Sequence, residues 1–129
     1  MSATTQLCIA FEAVTQYRFV KVNATAERVE NCDAADERAF GVATAAASAA
    51  GDEVLVAVEG YTLVDLGGDL EAFDDVKTDD AGKAVLADTT GDFIIGYYAP
   101  EPVDGAMVDG ANNQRGRIYL YGYKGNKVP

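Results

Sequence analysis

The side chains that carry most enzyme chemistry are scarce in this chain. It has no His, and Cys8 and Cys32 are its only cysteines. Without His the commonest general base and metal ligand is missing. Two cysteines so far apart do not make a zinc site. Ser2 and Ser48 are the only serines, and neither lies in a nucleophile elbow. Gly67-Gly68 lacks the spacing and the Lys-Ser/Thr of a phosphate-binding loop. Carboxylates are the one reactive type in surplus. Asp65, Asp69, Glu71, Asp74, Asp75, Asp79 and Asp80 form the densest run. A calcium loop needs alternating oxygen ligands, a Gly at its sharp turn and a closing Glu. That order is absent, so solvated turn carboxylates fit better than a cation site. A glycosidase pair can assemble from distant positions, but the chain has no Trp to stack on a sugar. No catalytic, cofactor-binding or metal-binding residue is therefore expected, and no cofactor.

Charge narrows the partners. The net charge is -11 over 129 residues. Residues 52–109 hold fifteen acids against Lys77 and Lys83, while residues 110–129 hold no acid and four bases: Arg115, Arg117, Lys124 and Lys127. Phosphate backbones repel such a protein, which argues against nucleic acid as a partner. Two readings of the asymmetry stand. One is a solvated surface; the other is a basic end that docks on an acidic neighbour. The most apolar region, 39–58, is interrupted by Gly41, Gly51, Asp52 and Glu53, so no membrane span is expected. No basic segment followed by an apolar stretch opens the chain, so synthesis and assembly in a cytoplasm are expected. Cys8, among Leu7, Ile9 and Phe11, reads as a buried free thiol, although sequence leaves a bridge to Cys32 open.

The elements that would position any site are short strands. Residues 1–6 are small and polar and read as a flexible arm, ordered by a partner if at all. Residues 1–14 thus hold the arm and a first strand, and 15–129 a single β-barrel domain. Phe19–Val22, 52–59, Tyr61–Leu66, Ala84–Ala87, Phe93–Tyr98 and 117–123 show strand patterning. The run 52–59 is apolar on both faces and should lie deep in the core. Turn residues separate these runs, for example Gly51-Asp52, Asp80-Ala81-Gly82 and Thr90-Gly91-Asp92. Ala43–Ala50 is the one helix-like stretch, worth at most one or two turns. Many short strands with turn signals between them point to an all-β barrel or sandwich.

The two halves also echo each other. Val20-Lys21-Val22-Asn23 is matched by Val76-Lys77-Thr78-Asp79, and Phe40-Gly41-Val42-Ala43 by Ile95-Gly96-Tyr97-Tyr98. The expectation is a duplicated strand meander, with repeats over 20–60 and 76–122, wrapped around one core. The second half carries a longer loop, Pro100–Gly116, whose Pro100, Pro102, Met107 and Val108 would present an apolar contact. In the last strand Ile118 and Leu120 face one way, and Tyr119, Tyr121 and Tyr123 the other. That tyrosine face reads either as a half-buried barrel wall or as a subunit interface flanked by Arg115, Arg117 and Lys124.

Three stretches resemble the capsid cement, or head decoration, proteins of tailed phages. They are Tyr17–Val22, Phe40–Ala43, and Ala49–Val54 leading to Val58-Glu59-Gly60. Ile94-Ile95-Gly96-Tyr97 and the terminal strand follow the same layout, so the resemblance covers roughly residues 15–123. It departs in the tyrosine-rich last strand and the loop from Pro100. The resemblance implies a small β-barrel or β-tulip body, assembled as homotrimers on the outer surface of an icosahedral head. It implies a virion structural protein that bridges major capsid subunits and catalyses nothing. The expected interface residues are Ser2, Thr4, Thr5, Met107, Arg115, Arg117, Tyr119, Tyr121 and Tyr123. The rival reading is a β-sandwich adhesion or carbohydrate-binding module, which the missing export signal and missing Trp disfavour.

Overall fold

The computed structural model describes residues 3–35, 37–122 and 128. Among them are nine strands and no helix: β1 Ala3–Ile9, β2 Phe19–Val22, β3 Val29–Asn31, β4 Gly41–Ala43, β5 Glu53–Asp65, β6 Asp75–Thr78, β7 Ala84–Leu86, β8 Gly96–Tyr98 and β9 Arg115–Leu120. They form one antiparallel sheet in the order β3-β2-β4-β5-β9-β8-β6-β7, with β1 added alongside β5. The sheet curls into a half-barrel. The all-β expectation therefore holds.

One long strand organises the fold. The N-terminal part of β5 lies between β1 and β4, and its C-terminal part pairs with β9 from Gly60↔Leu120 to Asp65↔Arg115. The sequence reads as a break at Gly60, but the strand runs through it. Gly60 takes φ 92°, which only a residue without Cβ adopts at low cost. It bends the strand without ending it.

The two halves share one hydrogen-bonding pattern. Val20↔Asn31 and Lys21↔Glu30 in β2–β3 correspond to Val76↔Leu86 and Lys77↔Val85 in β6–β7. Phe19↔Val42 in β2–β4 corresponds to Asp75↔Tyr97 in β6–β8. Outside the strands the agreement continues. The parallel bridge Ala10↔Val29 has its counterpart in Leu66↔Ala84, and Val14↔Ala47 in Leu70↔Gly110. Tyr17 and Phe73 both take positive φ, 65° and 71°, and donate their backbone N–H to Ala43 and Tyr98 respectively. Even the ion pairs correspond: Lys21 holds Glu37, and Lys77 holds Asp92 at 3.0 Å. The Glu37 and Asp92 carboxylates both also accept turn N–H groups, from Asp33 and Ala34 and from Thr89. Under this pattern β1 corresponds to the C-terminal part of β5, so each half begins with that strand.

Packing follows the same division. Ala10, Val14, Val20, Val29, Ala43, Ala47, Val54 and Val56 pack together inside the first half. Leu66, Leu70, Val76, Ile95, Tyr98, Ile118 and Leu120 lie in a larger cluster that also takes in Phe19, Cys32, Ala39, Val42 and Ala57 of the first half. The larger cluster therefore spans the junction between halves. Core volume is redistributed between the copies. Ala43 sits beside Val42 in β4, whereas its counterpart Tyr98 fills space left by glycines. A Cβ on Gly116 would come to 2.8 Å of the Tyr98 ring, and one on Gly110 to 2.8 Å of its hydroxyl. Exchanging one large and two small residues keeps the filled volume close to constant, the kind of swap a packed core tolerates best. Gly41 and Gly96 occupy matching places where a Cβ would overlap the carbonyl oxygen of Ala57 or Tyr119 in the next strand. Cys8 and Cys32 are both free thiols; Cys32 is buried, but Cys8 is half-buried, not buried as its apolar neighbours suggest. Burial pushes the Cys32 thiol up to about 12.

Three further expectations need correction. Residues 3–6 are the start of β1, not a free arm. Ala3↔Gly60 and Gln6↔Val56 lie in register with β5, across a bulge at Thr4/Thr5. Polar composition and exposure on both faces, with Thr4, Thr5, Gln6 and Leu7 all meeting solvent, hid the strand. Ala43–Ala50 contains no helix. Ala43 belongs to β4, Ala47 exchanges both backbone bonds with Val14 at 2.8 and 3.0 Å, and Asp52 caps the following turn. Nucleating so short a helix costs more than strand pairing. Finally, 52–59 is not buried throughout: Val54, Val56 and Ala57 are, but Leu55 is 46% exposed.

Candidate functional site

Alternation along β9 sends Ile118 and Leu120 inward, fully buried, and leaves Arg115, Arg117 and Tyr119 on the outer face. Tyr121 follows them just past the strand. Cross-strand register then adds residues from other strands. The row Asp75–Tyr97–Tyr119–Tyr61 runs across β6, β8, β9 and β5. Its rings touch: Tyr97 stacks on Tyr119 at 5.4 Å, Tyr61 meets Tyr119 edge-on at 5.0 Å, and Tyr121 lies 5.8 Å from Tyr97. Phe73, 62% exposed, adds a ring 6.1 Å from Tyr97. Such pairs stabilise by about 0.5–1.5 kcal/mol each beyond area burial. Burial, then the neighbouring Tyr61 phenol, raises the Tyr97 hydroxyl pKa. Sequence reasoning found Tyr119 and Tyr121. It missed Tyr61, Tyr97 and Phe73 as members, because only strand register brings them there.

The basic residues beside this face are already engaged. Asp65 lies between Arg18 and Arg115, 2.9 Å from each. Burial works against its charge, but the two guanidinium hydrogen bonds prevail and hold its carboxyl below the usual range. Arg115 also covers the Tyr17 ring at 3.8 Å, and Arg117 the Tyr61 ring at 4.5 Å. Arg117 Nε donates to Ala99 O at 2.7 Å. These side chains brace the face; Arg115 remains half exposed and Arg117 less so.

The other expected interface residues are spread out. Thr4 and Thr5 are exposed at the bulge in β1. Met107 stands on the long loop with Val103 and Val108, 47%, 58% and 46% exposed. A small turn closed by Val103 and Ala106 shapes the loop tip. Ser2 and Tyr123 lie outside the described residues. The structure thus unites Arg115, Arg117, Tyr119 and Tyr121 on one face, and puts Met107, Thr4 and Thr5 on separate elements.

Of the dense carboxylates, Asp74 and Asp79 serve turns, Asp69 joins two loops, and Asp65 pairs with Arg18 and Arg115. Asp79 accepts from the N–H of Ala81 and Lys83, Asp74 from Glu71 N, and Asp69 from Asn112 N. Among the described residues no group of three or more acidic or cysteine side chains is gathered as a metal would need. The arrangement offers contact surface: an aromatic face with fixed charges at its rim, and a protruding apolar loop.

Comparison with known proteins fits a contact surface. No curated protein matches the chain. Among solved structures, the head fiber gp8.5 N base of bacteriophage phi29 has the same fold, with a TM-score of 0.68 over 99% of each chain and 18% identity. The sequence profile of phage cement proteins matches residues 3–113, which takes in every strand except β9. The chain belongs to the phage cement protein family.

Proposed function

We propose that this protein binds the outer surface of an icosahedral phage head and stabilises it by bridging neighbouring major capsid subunits. Family membership carries the coarser part, a capsid-associated structural role. The phi29 neighbour, itself a head fiber protein, supports a location on the head. Bridging follows from mechanics. A lattice presents many identical sites, so modest contacts per copy add up. Binding only the assembled lattice stabilises it by mass action. No catalysis is needed.

The long loop after β8 is the best-placed shell contact. It interrupts the second half where the first has a shorter connection between β4 and β5. Three exposed apolar side chains within six residues are unusual for a solvent loop, and they offer desolvation to a partner. Thr4, Thr5 and the aromatic face are the remaining contacts, to the shell or to further copies in a homotrimer. Co-sedimentation with purified shells tests this reading. Met107→Asp with Val108→Asp should lower occupancy at least tenfold without changing the melting temperature. Unchanged occupancy would remove the loop from the interface.

A further inference from the structure

We infer that copies of this protein join head to tail, the aromatic face of one seated in a groove beside β1 of the next. The groove is lined by Gln6, Leu7, Cys8, Ile9, Val22 and Arg28 among others, with a volume of about 490 Å³. This contact would repeat between molecules the junction that joins the two halves within one. The inference deepens the self-association in the proposed function.

The internal junction shows what each half offers. The first half presents Tyr17, Arg18, Phe19, Val42 and Ala57, the last three fully buried. The second half receives them with Asp65, Thr78 and the turn 79–82. Phe19 N donates to Gly82 O at 2.7 Å, Asp65 N to Tyr17 O at 2.8 Å, and Arg18 Nη1 to Ala81 O at 3.0 Å. Arg38 lies 5.8 Å above the Phe93 ring across the same boundary.

The shared pattern carries each surface to the other half. The presenting surface of the second half is then Phe73, Asp74, Asp75, Tyr97 and Tyr119. That is the aromatic face. The receiving surface of the first half is Ile9, Val22 and the turn from Asn23. That is the groove. Among the described residues, both surfaces keep large apolar side chains exposed. Phe73 is 62% exposed and Tyr121 43%; Leu7 is 58%, Ile9 37% and Val22 37% exposed. Large apolar side chains therefore remain uncovered at the two places where the fold repeats a surface that is covered elsewhere.

The chemistry differs from the internal junction in several respects, and Asp75 stands where the first half has the buried Phe19. Asp74 and Ile9 stand where Arg18 and Asp65 form their ion pair, so that pair is not repeated. Aromatic rings replace Val42 and Ala57, and Arg28 in the groove provides a cation for Asp74 and Asp75. Each copy uses one surface of each kind, which makes the contact heterologous. It closes into a ring if the rotation between copies permits, and otherwise propagates.

Sedimentation of the purified protein, with no shell present, separates this inference from shell binding. The wild type should gain mass with concentration. A face variant, Phe73→Asp with Tyr121→Asp, should be monomeric. So should a groove variant, Leu7→Asp with Ile9→Asp, or Leu7→Asp alone if the double change lowers the melting temperature. Mixed in equal amounts, the two variants should form a species of two chains and nothing larger, because one intact junction remains. A wild type that stays monomeric at every soluble concentration would overturn the inference. So would a mixture that stays monomeric, or a groove variant that assembles like the wild type, since the aromatic faces would then meet each other.

Discussion

At the scale of single residues, the chain uses charge to fix turns and braces. Asp92 shows how. Burial opposes its ionisation, but Lys77 Nζ and the Thr89 N–H bond it and keep its pKa below the usual carboxylate range. Asp65 is lowered in the same direction by Arg18 and Arg115. Both carboxyls titrate lower in the folded chain than in the unfolded one. Their stabilisation is therefore complete above the unfolded value, about 3.9, and is lost as pH falls through the folded value. Thermal melts from pH 7 to pH 2 should show the melting temperature falling below about pH 4. Asp92→Asn should melt lower than the wild type at pH 7 and show a shallower acid dependence. An unchanged acid slope in that variant would show that the Lys77–Asp92 pair does not contribute. The sequence made these carboxylates visible as turn residues. It could not show which met an arginine, because Arg18, Asp65 and Arg115 come together only through strand pairing.

At the scale of elements, legibility depended on how strongly each strand was buried. Phe19–Val22 was plain from its residues, and so was the alternation around Ile118 and Leu120, whose side chains fill the core. The N-terminal strand was not. Thr4, Thr5, Gln6 and Leu7 are exposed, so no apolar period marks them, and their place depends on backbone pairing with β5. The short strands β4 and β6 were legible mainly as parts of the echo between halves. The aromatic face was half legible: one strand's tyrosines alternate visibly, while Tyr61 and Tyr97 join by register alone. Because β1 covers one side of β5 from Glu53 to Gly60, its loss exposes that strand and opens the first-half core beside Val54 and Val56. Deletion of residues 1–9 should therefore lower the melting temperature by more than about 8 °C, more than the shift of one ~1 kcal/mol change in a domain of about this size. An unaltered melting curve would mean that the strand contributes only to contacts outside the chain.

At the scale of the whole molecule, two halves with one hydrogen-bonding pattern share a central strand, and each half differs where it meets something else. The first half spends its outer face on the second. In the second half that face is aromatic, with Phe73 and Tyr121 exposed, and the apolar loop after β8 is added. Several acidic residues sit on turns, and Arg115 and Arg117 of the C-terminal strand are tied to Asp65, Ala99 and Glu101. Such a body suits attachment by surface contact, in keeping with the phage cement family. The central claim, attachment outside a capsid shell across the boundary between major capsid subunits, is tested most directly by imaging the native particle. The predicted result is density for this nine-stranded body on the outer surface, with the Val103–Val108 loop against the shell at a subunit junction. A particle carrying the protein inside the shell, or seated within a single subunit's footprint, would contradict it.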